Sequence, residues 1–162
     1  MDGTPVDPTY EAVELGTVRE FGAYEVTREE VVSFAEQYDP QPFHVDPEAA
    51  RESMFGGLVA SGWHTCAMTM RMLVENYLNE AGTMGSPGVE SLRFRRPVFP
   101  GDVLSVRAEH REKEPWDENR GVVYTDVRTL NGDDEAVLTM DTMVLFPRAE
   151  TDSSGGYAAD TG

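Results

Sequence analysis

The sequence predicts an α+β fold, a single domain in which an antiparallel sheet wraps around one long central helix. Three observations carry this. The stretch WHTCAMTM, from Trp63 to Met70, is apolar or small nearly all round, and charge returns only at Arg71 and Glu75, so a helix there needs cover on most of its sides. From Gly88 onward the chain reads as alternating segments, the last two joined by NGDD at 131–134, a strong hairpin signal. No repeat and no second domain is visible, and 162 residues is one domain by size.

The elements follow in order. Residues 1–15 are irregular, with Pro5 and Pro8. Residues 17–26 alternate as a strand, with a bulge or bend expected at Gly22. Thr27 and Glu30 form a capping box, and Val31, Phe34, Ala35 and Tyr38 recur at helical spacing. That helix stops near Asp39, because Pro40 disfavours helical dihedrals in the residue before it. Asp46 caps a short helix with Pro47 at its first position. The long helix is expected over 61–79, followed by strands over 89–96, 103–112, 121–130 and 135–146, with a turn at 99–102. The tail over 150–162 is expected to be disordered, leaving 1–149 as the domain. One sheet covers a helix on one face only, and its edge strand invites a partner, so a homodimer or higher homo-oligomer is expected.

Charge narrows the function classes. The chain has 30 acidic and 13 basic residues, a formal net charge of −17, and a single lysine, Lys113. Such a surface repels phosphate backbones and anionic lipid, which argues against nucleic acid and membrane as partners. It disfavours coenzyme A as well, unless a site supplies its own arginines. Acidic surfaces poor in lysine resemble those of halophilic proteins, working where the Debye length is about 3 Å at 1 M salt. One cysteine, Cys66, leaves no internal disulfide and fits a reducing cytoplasm. The N-terminus lacks the basic and apolar regions of a secretion signal.

The stretch YDPQPFHVD, 38–46, holds the first candidates for chemistry. Asp39 and His44 are joined through Pro40 and Pro42, whose rings fix two φ angles and bias Asp39 and Gln41 toward extended dihedrals. The segment reads as a stiff kinked loop. An acid and a histidine converging on one point can share a water, remove its proton and return one elsewhere. The alternative is that Asp39 ends the helix, His44 packs, and the prolines turn the chain. Glycines 56, 57 and 62 surround the start of the apolar helix. Gly62, beside Ser61, would expose backbone N–H groups to a ligand oxygen, and donors of that kind stabilise an enolate. Alternatively, Gly56 and Gly57 form a turn and Gly62 permits close helix packing.

Together these stretches resemble a known family. YDPQPFHVDPEAARESMFGGLVASGWH is similar to the signature of the MaoC-like dehydratases, which include the (R)-specific enoyl-CoA hydratases. Asp39, Pro42, His44, Asp46, Ala49, Phe55, Gly56 and Gly62 occupy the family's places, and LRFRRPVFPGDVL, 92–104, resembles its later strand pair and Pro-Gly-Asp turn. The family's usual Asn is Gln41 here. The resemblance covers about 17–147. It implies a hot-dog fold acting as a dimer, with Asp39 and His44 catalytic, and Gly62, Ser61 and Gln41 at the oxyanion and substrate. It also implies reversible hydration of a trans-2-enoyl-CoA to (R)-3-hydroxyacyl-CoA, with the thioester as substrate and neither metal nor cofactor required.

Other residues carry less. Arg93, Arg95 and Arg96 are the one tight basic cluster. They can meet CoA phosphates or pair with carboxylates, and alternation sends Arg93 and Arg95 to one face and Arg96 to the other. His64 is read as structural or pocket-lining, His110 as a surface residue, and Cys66 as a small core residue. Met68, Met70 and Met72 are read as lining the core or an acyl tunnel. The histidines show no metal-ligand spacing. Two rival functions remain. A hot-dog thioesterase would carry a carboxylate early on the central helix, and none is present in its first two turns. A non-catalytic acyl-thioester-binding subunit would lack the acid and histidine that this chain has.

Overall fold

In the computed structural model, which describes residues 9–149, five strands form one antiparallel sheet in the order β1-β3-β4-β5-β2. The strands are β1 (Val18–Glu25), β2 (Gly88–Phe94), β3 (Val103–Pro115), β4 (Arg120–Leu130) and β5 (Ala136–Pro147). Helices α1 (Arg28–Tyr38), α2 (Pro42–Val45), α3 (Pro47–Glu52) and α4 (Gly62–Leu73) lie between β1 and β2. The sheet curves around α4, as the apolar stretch requires. Met68, Met72 and Leu73 pack against Leu104, Val106, Ala108, Val127, Leu138 and Met140. None of the helices among the described residues is long and apolar enough to cross a membrane. The expectation for the tail over 150–162 falls outside the described residues.

The bulge expected in β1 is present. Its register against β3 shifts between Phe21 and Tyr24, and Gly22 sits there at φ 92°. A Cβ at Gly22 would stand 2.5 Å from the Met72 sulfur, so the missing side chain lets the strand close onto the central helix. The helix runs on past Leu73 as a π-helical segment, Val74–Leu78. That change of winding was not legible in the sequence, because no proline or glycine marks it.

Three expectations are corrected. The central helix is not covered on most sides in the single chain, since Trp63 is 60% exposed and Met70 also faces out. Met70 therefore leaves the core to Met68 and Met72 and lines a shallow apolar cavity beside Val89 and Val144. His110 is not a surface residue but only 4% exposed. Its parity in β3 is that of Leu104, Val106 and Ala108, and the inward alternation simply continues to it. The π-helical segment brings Tyr77 to it.

His110 is the hub of a buried network. Its Nδ1 lies 2.8 Å from Thr125 Oγ1, and its Nε2 accepts from Arg19 at 3.0 Å, with the Tyr77 hydroxyl 3.2 Å away. Because a guanidinium only donates, Nε2 must be the bare nitrogen and Nδ1 carries the proton. Arg19 also lies over the Tyr77 ring, 4.5 Å from its centroid. Burial, and then the Arg19 charge, push the imidazole down to about 4. An unfolded histidine titrates near 6.5, so this group favours folding fully above that value. Its contribution is lost as pH falls from about 6.5 toward 4, by up to about 3 kcal/mol. Urea unfolding from pH 7 to 4 is expected to show this decline, with His110→Gln losing most of the slope over that window.

Candidate active site

The site starts where α1 ends. Thr27 caps that helix, its Oγ1 accepting from the Glu30 N–H at 3.3 Å, and Pro40 stops it, so Asp39 becomes the C-cap. The next residues do not stay a loop. Gln41 is extended at ψ 146°, and Pro42 then opens α2 as its first residue, a position that suits its fixed φ. The extra turn folds the chain back, and His44 Nε2 arrives 3.3 Å from Asp39 Oδ2. The two prolines thus bring acid and imidazole together rather than holding them apart.

Backbone contacts fix the imidazole. His44 is 6% exposed, and its Nδ1 lies 2.6 Å from the Val59 carbonyl. A carbonyl only accepts, so Nδ1 carries a proton and Nε2 is the nitrogen free for chemistry. The Val59 N–H returns a bond to the Phe43 carbonyl at 3.2 Å, and the Phe43 ring stands edge-on to the imidazole, centroids 4.5 Å apart.

The carboxylate is held as firmly. Gln41 Nε2 donates to Asp39 Oδ1 at 2.7 Å, and the Ser61 hydroxyl donates to Oδ2 at 2.7 Å. Ser61 is also the N-cap of α4, accepting from the Trp63 N–H at 3.3 Å. Burial pushes the Asp39 carboxyl up, but the bonds from Gln41 and Ser61, with His44 beside it, outweigh burial and hold it below the ordinary carboxylate value. Gln41 and Ser61 were expected at the substrate; both side chains are here bonded to Asp39. Asp46 has a capping role, its Oδ1 accepting from the Glu48 N–H at 3.0 Å.

Asp39 and His44 open onto a cavity of about 470 Å³ at the start of α4. Gly62 lines it as the first residue of that helix, a position whose N–H has no carbonyl four residues back to bond. Both roles weighed for this glycine meet there. A Cβ on Gly62 would stand 2.6 Å from the Phe94 ring, so the glycine also lets Phe94 lie close over the helix start. Phe94 in turn meets Trp63 edge-on at 6.0 Å. Phe43, Phe55, Val59, Val98 and Val137 supply apolar wall.

The arginines do not follow the alternation read from sequence. Strand β2 ends at Phe94, and the N–H groups of Arg95 and Arg96 both turn to the Val137 carbonyl, at 2.8 and 3.3 Å. Arg95 and Arg96 therefore both line the cavity, while Arg93 stays in the strand opposite Thr139 and does not. Arg95 Nε donates to Thr139 Oγ1 at 3.0 Å, and Arg96 pairs with Glu135 at 3.1 Å. Cys66 is half-buried, and burial pushes its thiol up. His64 is buried outside this cavity, against Glu30. Among the described residues, no three His, Cys, Asp or Glu side chains converge in a way that would hold a metal ion. The aromatic pair Trp63 and Phe94, and the two bonds that aim Asp39, were missed in the sequence. Ser61 at a helix start was the one usable signal for them.

With that geometry in view, comparison with known proteins is informative. The family of the MaoC like domain matches residues 11–131. The chain is similar to a 3-hydroxybutyryl-CoA dehydratase of Methylorubrum extorquens, 29% identical over 147 residues, covering 87% of this chain and 85% of the relative. It superposes on a MaoC-like dehydratase of Rhodospirillum rubrum at TM-score 0.79 with 36% identity, covering 88% of this chain and 99% of that one. It also superposes on the R-hydratase PhaJ1 of Pseudomonas aeruginosa at TM-score 0.71 with 26% identity, over 93% and 95% of the two chains. The sheet wrapped on its central helix is the hot-dog fold of these neighbours.

The Ser61 bridge yields a measurable coupling. In a double-mutant cycle of Ser61→Ala and Asp39→Ala, the unfolding free energies are expected to be non-additive by about 1–3 kcal/mol, as for a hydrogen bond to a charged group. Additive single changes would show that the bridge contributes nothing.

Proposed function

The chain belongs to the family of MaoC-like domains, and from that membership we propose that it adds water reversibly to a trans-2-enoyl-CoA, giving the (R)-3-hydroxyacyl-CoA. The observation that carries this reading is the 3.3 Å approach of Asp39 and His44 at the mouth of a cavity that Gly62 also lines. Carboxylate Oδ2 and imidazole Nε2 lie side by side where they open onto the cavity. A water in the cavity beside the pair can hydrogen-bond to both, leaving an oxygen lone pair directed at the substrate.

The chemistry then balances with no further reagent. The water oxygen bonds to C3, one water proton passes to the Asp39–His44 pair, and the pair delivers a proton to C2. The pair acts as one acid–base unit with shared titration. Electron density moves through the C2–C1 bond onto the thioester oxygen as the enolate forms. The Gly62 N–H, with the partial positive charge of the α4 start behind it, would meet that oxygen. Arg95, bonded to the neutral Thr139 hydroxyl, supplies positive charge at the same cavity in a chain of net charge −17, with Arg96 beside it paired to Glu135; that charge favours an anionic carrier such as coenzyme A. The CoA thioester named for the Methylorubrum relative and the R-hydratase named for the Pseudomonas neighbour support the substrate class and the stereochemistry.

A second copy of this chain belongs in the same proposal. β2 is an edge strand, and Val89 and Phe94 on it, with Trp63 and Met70 on α4, are exposed apolar side chains. Pairing across β2 would cover them.

Purified protein incubated with crotonyl-CoA in molar salt tests the function. Loss of enoyl absorbance without free thiol is the expected result; thiol release would support a thioesterase, and neither change would support binding alone or a different substrate. Asp39→Asn and His44→Ala are each expected to lower turnover by ~10²–10⁴-fold while leaving the fold intact. The acidic surface adds one more expectation: the thermal midpoint should rise between 0.1 and 2 M KCl as repulsion among carboxylates is screened, and a flat response would remove the salt-adapted reading.

A further inference from the structure

Helix α1 touches α4 at two places, and only one of them lies in the cavity. At the C-terminal end of α1 the Asp39 carboxylate accepts from Ser61. In its first turn Glu30 Oε1 lies 3.1 Å from His64 Nε2, and His64 is three residues beyond Ser61 on α4. The Tyr24 hydroxyl of β1 donates to the same Glu30 oxygen. A carboxylate only accepts, so Nε2 of His64 carries a proton and its Nδ1 is left to face the interior. That Nδ1 is buried with no partner among the described residues, and the ring is 2% exposed. It lies parallel on Phe34, one turn after Glu30, with centroids 4.7 Å apart and planes at 9°. Burial pushes the Glu30 carboxyl up, but its bonds from Tyr24 and His64 outweigh that and hold it low; burial and then Glu30 push Tyr24 up to about 12.

The geometry makes α1 a rod held at both ends. Glu30 and Asp39 are nine residues apart, about 14 Å along a helix axis. Val31 and Ala35 bury one face of α1 in the core, and the polar ties at its ends decide how it lies along α4. The tie at Glu30 fixes the end of α1 far from Asp39, and Tyr24 anchors that tie to the sheet. Productive geometry tolerates about 0.5 Å, and a 1 Å displacement of a reacting group can cost ~10²-fold in rate. We propose that Glu30 and His64 are positioning residues, clamping α1 against α4 so that Asp39 stays in register with His44. The inference rests on the hydratase reading and adds residues that lie outside the cavity onto which Asp39 and His44 open.

Glu30→Ala and Glu30→Gln test it, because glutamine keeps an acceptor for the His64 N–H and the Tyr24 O–H. The readouts are kcat and KM for crotonyl-CoA hydration, normalised to the folded fraction by circular dichroism, and the NMR signal of the His44 ring. The chain has only three histidines, so that signal is assignable by substitution. Glu30→Ala should lower kcat by ~10–100-fold with KM within about twofold, and move the His44 signal. Glu30→Gln should stay near wild type in both. Wild-type kcat in Glu30→Ala, a loss accounted for by unfolding alone, or an equal loss in Glu30→Gln would each overturn the clamp. Should wild-type protein turn over no enoyl thioester, the function reading falls separately and the NMR arm decides: a His44 signal moved by alanine but not glutamine supports the clamp, and an unmoved signal overturns it.

Discussion

One hydroxyl joins the scaffold to the chemistry. Ser61 accepts from the first turn of α4 and donates to Asp39, so a group needed to start the central helix also aims the acid. Ser61 is fully buried, and a buried hydroxyl must find partners or destabilise the fold. Its two bonds satisfy that demand and couple a backbone N–H at the positive end of a helix to a carboxylate that must stay ionised. Gln41 holds the other oxygen, and the Val59 carbonyl does the same for His44 from the opposite side. Neither side chain can turn without breaking one of these bonds, which is what preorganisation means in physical terms.

Much of this was legible in the sequence, for identifiable reasons. Thr27 and Asp46 with Pro47 are local signals, and each caps the helix it was read to cap; Ser61, read as the start of the long helix, is its cap instead. Gly22 marked its bulge because a strand interior rarely tolerates glycine otherwise. The wall of the cavity was not legible. Phe43, Phe94 and Val137 come from three distant segments, and no local pattern says that they meet. The fate of the arginines was hidden because alternation holds only while a strand lasts, and β2 ends at Phe94. His110 was misread although its parity in β3 was plain; a histidine was treated as polar when its position was that of a core residue. What the sequence could not supply was Arg19 and Tyr77, the partners that let it be buried.

Charge is sorted by depth. Most of the carboxylates lie outside, where salt screens them, and many are paired: Glu109 with Arg107 and Arg111, Asp126 with Arg111 and Arg128. Inward, ionised groups are few and each has a directed partner. The single lysine has such a duty, its Nζ donating to the carbonyls of Tyr10 and Val13 at 3.2 and 2.9 Å and lying 4.9 Å from the Tyr10 ring centroid. It tethers the first described segment of the chain to β3. In a chain that has all but given up lysine, the one retained makes contacts that a planar guanidinium would make differently.

The contact between Gly62 and Phe94 reaches further than packing. The ring sits where a methyl group at position 62 would have to go. The height of the aromatic roof above the helix start is therefore set by an atom that is missing. Any side chain at 62, however small, would lift the roof and move the amide's neighbour in one stroke, so the width of the entrance and the charge-accepting point inside it cannot be tuned separately. A Cβ at 62 therefore requires the ring at 94 to move, which ties the two positions to each other.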